Sequence, residues 1–169
     1  MSAPEQPQDR LNVKLVDIPP EGRRIRGELT ASVLEIPDSQ DLRVGGTIGY
    51  DLNVCLVSGE LIVRGKLVSA GSFRCSRCLE SFETEVRDGR FETAREVRDS
   101  PGDPGYVDAV DLTEDIREAI LLCFPSFPVC RADCRGLCAQ CGANLNESPC
   151  GCKPPSDGRW DSLAGLRVG

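Results

Sequence analysis

The chain has 169 residues, a formal net charge of −7 and no histidine. The length suits one ordinary domain, or one domain with a small appendage. The acidic balance excludes a protein that holds polyanions by bulk charge, so a contact with nucleic acid requires a local patch or a partner protein. No stretch approaches the roughly 18 apolar residues of a membrane helix. The polar N-terminus lacks the order of a secretory signal, and we expect a cytoplasmic protein.

Residues 1–10 are polar, contain two prolines and are predicted to be a disordered tail. Residues 11–127 are predicted to form a β-rich antiparallel domain. Its clearest signal is a hairpin, in which two runs joined by the turn Ser58-Gly59-Glu60 place apolar residues at every second position. The residues predicted to share the buried faces are Ile48, Tyr50, Leu52, Val54 and Leu56 in the first run, and Leu61, Val63, Gly65 and Leu67 in the second.

Further strands and one helix complete this domain. The residues around 25–37 alternate weakly and favour a strand, and the dipeptide Asp88-Gly89 predicts a turn between two more strands. The stretch 111–123 predicts the main helix, with Asp111 as its cap and Glu114 as the other half of a capping box. Apolar residues at helical spacing give this helix one face that packs on the sheet.

The composition changes at Pro128, after which cysteine, glycine and proline replace apolar residues. Residues 128–169 are predicted to be a cysteine-rich metal-binding segment followed by a C-terminal tail that docks back through Trp160, Leu163 and Leu166. The predicted fold class is therefore α+β: a β-rich antiparallel N-terminal domain with one main helix, and a small cysteine-rich C-terminal segment held together by zinc.

The cysteines are the most informative residues. The stretch CRADCRGLCAQCGANLNESPCGC holds six of the ten, and a C-x2-C pair lies earlier in the chain. Thiols of a cytosolic protein are normally reduced, so such pairs indicate metal or catalysis more than disulfides. The candidate metal ligands are Cys75, Cys78, Cys130, Cys134, Cys138, Cys141, Cys150 and Cys152.

The C-x2-C spacing lets two thiolates bind one ion while the backbone between them turns back, which favours a small residue after the second cysteine. Gly142 meets that requirement, and Leu79 is a weaker match. Pairing Cys75/Cys78 with Cys138/Cys141 gives a site like that of a zinc ribbon and leaves four cysteines for a second site. A compact site inside residues 130–152, with the earlier pair free, is the alternative.

An all-thiolate donor set suits zinc, in one or two ions, or less well an iron–sulfur cluster. We expect a structural metal and no enzyme, because a catalytic zinc requires an open position and a general base. Neither C-x2-C pair opens a long helix, the usual setting of a thiol redox centre. Exposed cations beside the cysteines are candidate contacts to RNA or a protein partner: Arg74, Arg77, Arg131, Arg135 and Lys153.

Four stretches in this order resemble the large ribosomal RNA subunit accumulation protein family, also called YceD-like. They are FRCSRCLESFETEV, DLTEDIREAILLCFPSFPVC, DCRGLCAQCGANLNESPCGC and DGRWDSLAGL, and the resemblance covers roughly residues 60 to 169. It implies a bacterial cytoplasmic factor, also found in plastids, that supports accumulation of the large-subunit (23S) ribosomal RNA. Some members of the family lack the cysteine-rich segment and keep only the C-x2-C pair.

The acidic charge favours an adaptor that binds a basic ribosomal protein or assembly factor of the large subunit within pre-ribosomal particles. Direct contact with ribosomal RNA is the second hypothesis, and neither a membrane nor a small-molecule substrate is expected. The rival hypotheses are a thiol redox protein and a zinc-ribbon protein of the transcription type.

Overall fold

The structure is a computed structural model that describes residues 7–36, 42–98 and 105–153. A four-stranded antiparallel sheet in the order β2-β3-β4-β5 is its main element. The strands span Arg23–Thr30 (β2), Leu42–Val57 (β3), Glu60–Arg74 (β4) and Ser81–Glu96 (β5). A second, two-stranded sheet pairs Asn12–Lys14 (β1) with Ala109–Asp111 (β6), and the helix α1 spans Thr113–Leu122. The α+β class with one main helix is confirmed.

The predicted hairpin is strands β3 and β4. Val57 pairs with Glu60, and Ser58 and Gly59 both have positive φ angles, as the tight turn requires. The residues predicted to face the core are buried, except that Leu56 is partly exposed and Gly65 half-buried. The residues between them along each strand are half-buried or exposed, so the sheet has one face in the core and one face toward solvent.

The turn predicted at Asp88-Gly89 is wrong, because residues 81–96 form one continuous strand. Gly65 pairs with Phe91 and Leu67 with Asp88, so β5 carries an extra residue between these pairs. The Asp88 carboxylate accepts a hydrogen bond from the backbone N–H of Arg90 at 2.8 Å. A glycine next to an aspartate therefore marks a β-bulge here, where it bends the strand without reversing it.

The strand predicted over 25–37 ends earlier than expected. Strand β2 stops at Thr30, and Ala31–Leu34 form a single 3-10 turn that buries Ala31 and Leu34. Ahead of β2, Gln8 pairs with Leu29, and its backbone N–H donates to Glu28 O at 2.9 Å. The predicted tail 1–10 thus includes residues that bind the edge of the sheet, while residues 1–6 lie outside the described structure.

Helix α1 covers the apolar face of the sheet. Leu112, Ile116 and Ile120 have no exposed surface and belong to the core, together with the inward-facing residues of β3 and β4. Asp115 fixes the helix to β5, because its carboxylate accepts hydrogen bonds from Thr93 at 2.8 Å and Arg95 at 2.7 Å. In the part of the chain that the structure describes, no helix has the length and apolar character needed to cross a bilayer.

The predicted capping box is absent. The helix begins at Thr113, with Leu112 in the cap position, because Asp111 is the last residue of β6 and pairs with Asn12. The Asp111 carboxylate still accepts a hydrogen bond from the Thr113 N–H at 2.9 Å, while the Glu114 side chain pairs with Arg117 at 2.9 Å. The sheet thus moves the helix start two residues beyond the predicted position.

Candidate metal centres

The first group of cysteines lies where the β4–β5 hairpin meets the segment after the helix. Cys75 and Cys78 belong to the turn between the two strands, and Cys130 and Cys134 come from the segment that leaves α1. This segment is held against the turn because the Ser76 N–H donates to Pro128 O at 2.8 Å. We call these four residues the first cluster.

The sulfur positions of the first cluster match those of a tetrahedral site. All four Sγ atoms lie within 4.8 Å of one another, with 3.9 Å between Cys75 and Cys134 and 3.8 Å between Cys78 and Cys130. Zinc–sulfur bonds of about 2.3 Å in a tetrahedron place the sulfurs about 3.8 Å apart. These distances are far longer than the sulfur–sulfur bond of about 2 Å in a disulfide.

The second cluster, Cys138, Cys141, Cys150 and Cys152, also has its four Sγ atoms within 4.8 Å of one another. The whole site lies within one loop, whose backbone is held by the Cys138 N–H donating to Ala143 O at 2.8 Å. Cys75, Cys78 and Cys134 of the first cluster are buried, whereas Cys141 and Cys152 of the second are exposed. The two clusters therefore differ in their access to solvent.

The predicted pairing of Cys75/Cys78 with Cys138/Cys141 is wrong. The alternative places a compact site inside residues 130–152, which the second cluster is, but Cys75 and Cys78 are not free, because they belong to the first cluster. The chain leaving α1 reaches the hairpin turn at Pro128, so the first cysteines it can supply are Cys130 and Cys134. The second C-x2-C pair then takes its partners from the same loop. Each cluster thus combines one C-x2-C pair with two cysteines that lie later in the chain.

Backbone amides favour the thiolate most clearly at Cys75 in the first cluster and at Cys138 in the second. Burial opposes ionisation of Cys75, yet hydrogen bonds from the N–H groups of Cys130, Cys78 and Arg77 bring its pKa down to about 6. In the second cluster the N–H groups of Cys141 and Gln140 lower the pKa of Cys138 to about 6. Preformed N–H donors of this kind stabilise metal-bound thiolates.

One neighbouring thiol in each cluster, Cys130 in the first and Cys152 in the second, has a raised pKa. Burial and the hydrogen bond with Cys75 raise the pKa of Cys130 to about 12. The hydrogen bond with Cys141 and burial raise the pKa of Cys152 to about 12. Four thiolates so close together repel one another, and a bound cation removes this repulsion while it displaces the remaining protons. The donor set and its spacing therefore fit a divalent ion held by four thiolates.

Three of the five predicted contact residues have side chains that donate hydrogen bonds to groups of the protein around the clusters. Arg77 donates to the carbonyls of Ala132 at 3.3 Å and Cys134 at 3.1 Å. Arg74 donates to Leu79 O at 2.9 Å, and Arg131 donates to the Asn146 side chain at 2.9 Å. These arginines support the backbone around the cysteines.

The two remaining candidate contact residues are Arg135 and Lys153. Arg135 uses its backbone N–H to donate to Asn146 Oδ1 at 2.8 Å, and the side chains of Arg135 and Lys153 are exposed. Both residues line a cavity of about 400 Å³ beside the second cluster.

Asn146 is the residue that sequence reasoning missed. Its side-chain N–H donates to Cys134 Sγ at 3.4 Å, and this bond helps to lower the pKa of Cys134 against the effect of burial. An asparagine in a loop carries no pattern that distinguishes this role, so only the fold reveals it. Cys55 and Cys123, which are not among the eight predicted ligands, belong to neither cluster.

The fold and the clusters define an α+β protein whose main sheet carries one four-cysteine centre and whose following loop carries another. The family model described as large ribosomal RNA subunit accumulation protein YceD matches residues 63–167, and the chain belongs to that family. The resemblance inferred from the four sequence stretches is confirmed. The matched region contains both clusters, α1 and most of the β4–β5 hairpin.

Curated relatives agree with this assignment. An uncharacterized protein of Mycobacterium tuberculosis is 32% identical over 127 residues, which cover 70% of this chain and 61% of the relative. One of Mycobacterium leprae is 30% identical over 148 residues, or 79% of this chain and 68% of the relative. The large ribosomal RNA subunit accumulation protein YCED homolog 1, chloroplastic, of Zea mays is 48% identical over 46 residues, or 27% and 16%. No solved structure matches the chain.

Proposed function

We propose that the protein is a non-enzymatic ribosome biogenesis factor of the bacterial cytoplasm that supports accumulation of the large-subunit ribosomal RNA. The observation that carries this proposal is the family match across residues 63–167. The name of the maize relative, large ribosomal RNA subunit accumulation protein, supports the same role. The matched part of the chain spans 61% of the length of the M. tuberculosis relative.

The proposed metal is structural zinc, with one ion in each cluster. The supporting observation is the agreement between the sulfur separations of 3.8 and 3.9 Å and those of a tetrahedral thiolate site. Four protein ligands close the coordination shell of zinc, which leaves no position for a reacting water. An iron–sulfur cluster is less suitable because Cys141 and Cys152 of the second centre are exposed to solvent.

Charge favours a basic protein over RNA as the direct partner. Two zinc ions held by eight thiolates would lower the formal net charge from −7 to about −11. Arg77 and Arg131, which would have to attract phosphates, instead donate to the Ala132 and Cys134 carbonyls and to the Asn146 side chain. We therefore propose an adaptor that binds a basic ribosomal protein or assembly factor of the large subunit.

An exposed aromatic residue lies beside the first cluster. The Phe127 side chain is 82% exposed and directly precedes Pro128, whose carbonyl binds the hairpin turn. A large apolar side chain in this position suits the core of a protein interface, where aromatic residues contribute most. Phe127 is therefore a candidate contact residue for the proposed partner.

Native mass spectrometry with metal analysis tests the zinc proposal. We expect two zinc ions per chain in protein purified without oxygen, both released by a chelator. Iron in place of zinc, or no metal, would contradict the assignment. Thiols that remain reactive in the metal-loaded protein would favour the redox hypothesis instead.

Affinity purification from cells tests the adaptor role. Large-subunit precursors should copurify with the tagged protein, and at least one basic partner should remain after nuclease treatment. Phe127→Ala should weaken this retention, whereas Val16→Ala, which changes a side chain 86% exposed elsewhere in the chain, should not. Loss of every large-subunit partner after nuclease would favour direct RNA contact, and copurification with polymerase alone would favour the transcription hypothesis.

A further inference from the structure

Asn146 connects the two cysteine clusters. It lies in the loop between Cys141 and Cys150, which the second cluster closes, and its side-chain N–H donates to Cys134 Sγ of the first cluster at 3.4 Å. A residue in the loop of one centre therefore contacts a ligand of the other.

The rest of the Asn146 side chain is also fixed. Its Oδ1 atom accepts from the Arg135 N–H at 2.8 Å and from Arg131 at 2.9 Å, and its Nδ2 atom donates to Asn144 Oδ1 at 2.9 Å. The two donors that reach Oδ1 leave Nδ2 as the atom that faces the sulfur. The amide is thus oriented as a donor to Cys134.

The backbone of the same loop reinforces the connection. The Leu145 N–H donates to Gly136 O at 2.9 Å, and the Leu137 N–H donates to Arg77 O in the hairpin turn at 3.0 Å. Gly136 has a φ of +74°, and an added Cβ would lie 2.9 Å from Arg77 O. The loop of the second cluster and the turn of the first therefore meet through a close backbone contact.

We propose that the two clusters bind zinc cooperatively and that Asn146 is the positioning residue that couples them. The inference rests on the zinc sites proposed above. An ion in the second cluster closes the loop and removes conformational freedom that would otherwise have to be lost to form the Asn146–Cys134 bond. The first centre then binds its ion more tightly, and by thermodynamic linkage an ion in the first centre tightens the second by the same factor.

Removing a hydrogen-bond donor to a metal ligand typically weakens metal affinity about 10-fold to 100-fold, so we expect a coupling of about 10-fold. The chemistry of the donor also matters. Asn146→Asp replaces the N–H with an acceptor and places a negative charge beside a thiolate, so it should weaken the first centre more than Asn146→Ala does. Ser148→Ala, in the same loop but with an exposed side chain, is the matched control.

The experiment measures zinc per chain against a competing chelator by native mass spectrometry on the full chain. Cys141→Ser with Cys152→Ser retains only the first centre, and Cys75→Ser with Cys78→Ser retains only the second. The wild type should bind both ions about 10-fold more tightly than the two single-centre affinities together predict. This excess should disappear in Asn146→Ala and persist in Ser148→Ala.

Each outcome separates the coupling from the metal sites themselves. A wild type that holds two zinc ions with the affinities of the isolated centres would overturn the coupling and leave the proposed zinc sites standing. Coupling that survives Asn146→Ala would overturn the role of this residue. A wild type without zinc would overturn both the sites and the coupling.

Discussion

Leu79 and Gly142 occupy equivalent positions, each directly after the second cysteine of a C-x2-C turn. The Leu79 N–H donates to Cys75 O and the Gly142 N–H to Cys138 O, both at 2.9 Å. Their φ angles are +62° and +72°, in the left-handed region. The two turns thus share one backbone shape, which glycine adopts freely and leucine adopts at a cost of about 1–2 kcal/mol.

Replacing Gly142 with alanine should impose that cost on the second cluster. No atom lies within 4 Å of an added Cβ at Gly142, so the effect comes from backbone conformation alone. We expect a loss of about 1 kcal/mol in zinc binding at the second centre, or roughly fivefold in affinity. Chelator competition measures this, with Gly151→Ala as the control, since that glycine has open space and no left-handed φ. Equal losses in both variants would argue against backbone strain as the cause.

The sequence predicts the two C-x2-C turns but not which other cysteines complete each metal site. The C-x2-C spacing with Gly142 identifies a metal-binding turn locally, because the geometry depends on five consecutive residues. Which cysteines complete each site depends on where the chain passes after α1, and the contact between Ser76 and Pro128 that decides this has no sequence signal. Patterns of residue types do not identify which distant backbone groups form hydrogen bonds with each other.

A second prediction concerns Gly65, which lies in β4 next to the bulge. A Cβ there would lie 2.8 Å from Leu52 Cα and would also meet the Asp51 carbonyl oxygen, both parts of the neighbouring strand's backbone. We expect Gly65→Ala to lower the free energy of unfolding by about 2–3 kcal/mol. Gly89→Ala is the control, because no atom lies within 4 Å of its added Cβ. Denaturant unfolding of the zinc-loaded protein measures both, and a stable Gly65→Ala variant would contradict the close approach of β3 and β4.

The same region shows why the Asp88-Gly89 turn was predicted wrongly. Asp-Gly favours any position with an irregular backbone, and both hairpin turns and bulges provide one. The choice depends on the partner strand: β4 continues past this point through Leu67, Val68 and Ser69, all paired with β5. Alternating apolar residues in β3 and β4 are interpreted correctly because burial of one face specifies their register.

Asp115 provides a test of how the helix is attached to the sheet. Its side chain is 9% exposed, and one carboxylate oxygen accepts from both Thr93 and Arg95. Asp115→Ala removes a charge-assisted hydrogen bond and leaves the Thr93 hydroxyl without this acceptor, so we expect a loss of about 2 kcal/mol in unfolding free energy. Glu118→Ala on the exposed side of α1 should change stability by less than about 0.5 kcal/mol. An equal effect of both variants would show that helix propensity, and not the bond to β5, is responsible.

The final prediction concerns what each proposed zinc ion holds together. Cys141→Ser should leave one zinc ion per chain and increase amide hydrogen exchange across residues 138–152, while β3 and β4 stay protected, because the second cluster lies within a single loop. Cys78→Ser should increase exchange in the hairpin turn and in the segment after Pro128 together, since the first cluster joins residues 75–78 to 130–134.

Hydrogen exchange detected by mass spectrometry separates these two patterns, and Cys55→Ser, outside both clusters, is the control. The contrast follows from sequence separation: removing an ion that joins distant segments releases more chain than removing one that closes a short loop. Loss of protection throughout β4 in Cys141→Ser would mean that the second centre supports the sheet itself, which its position in the loop does not predict.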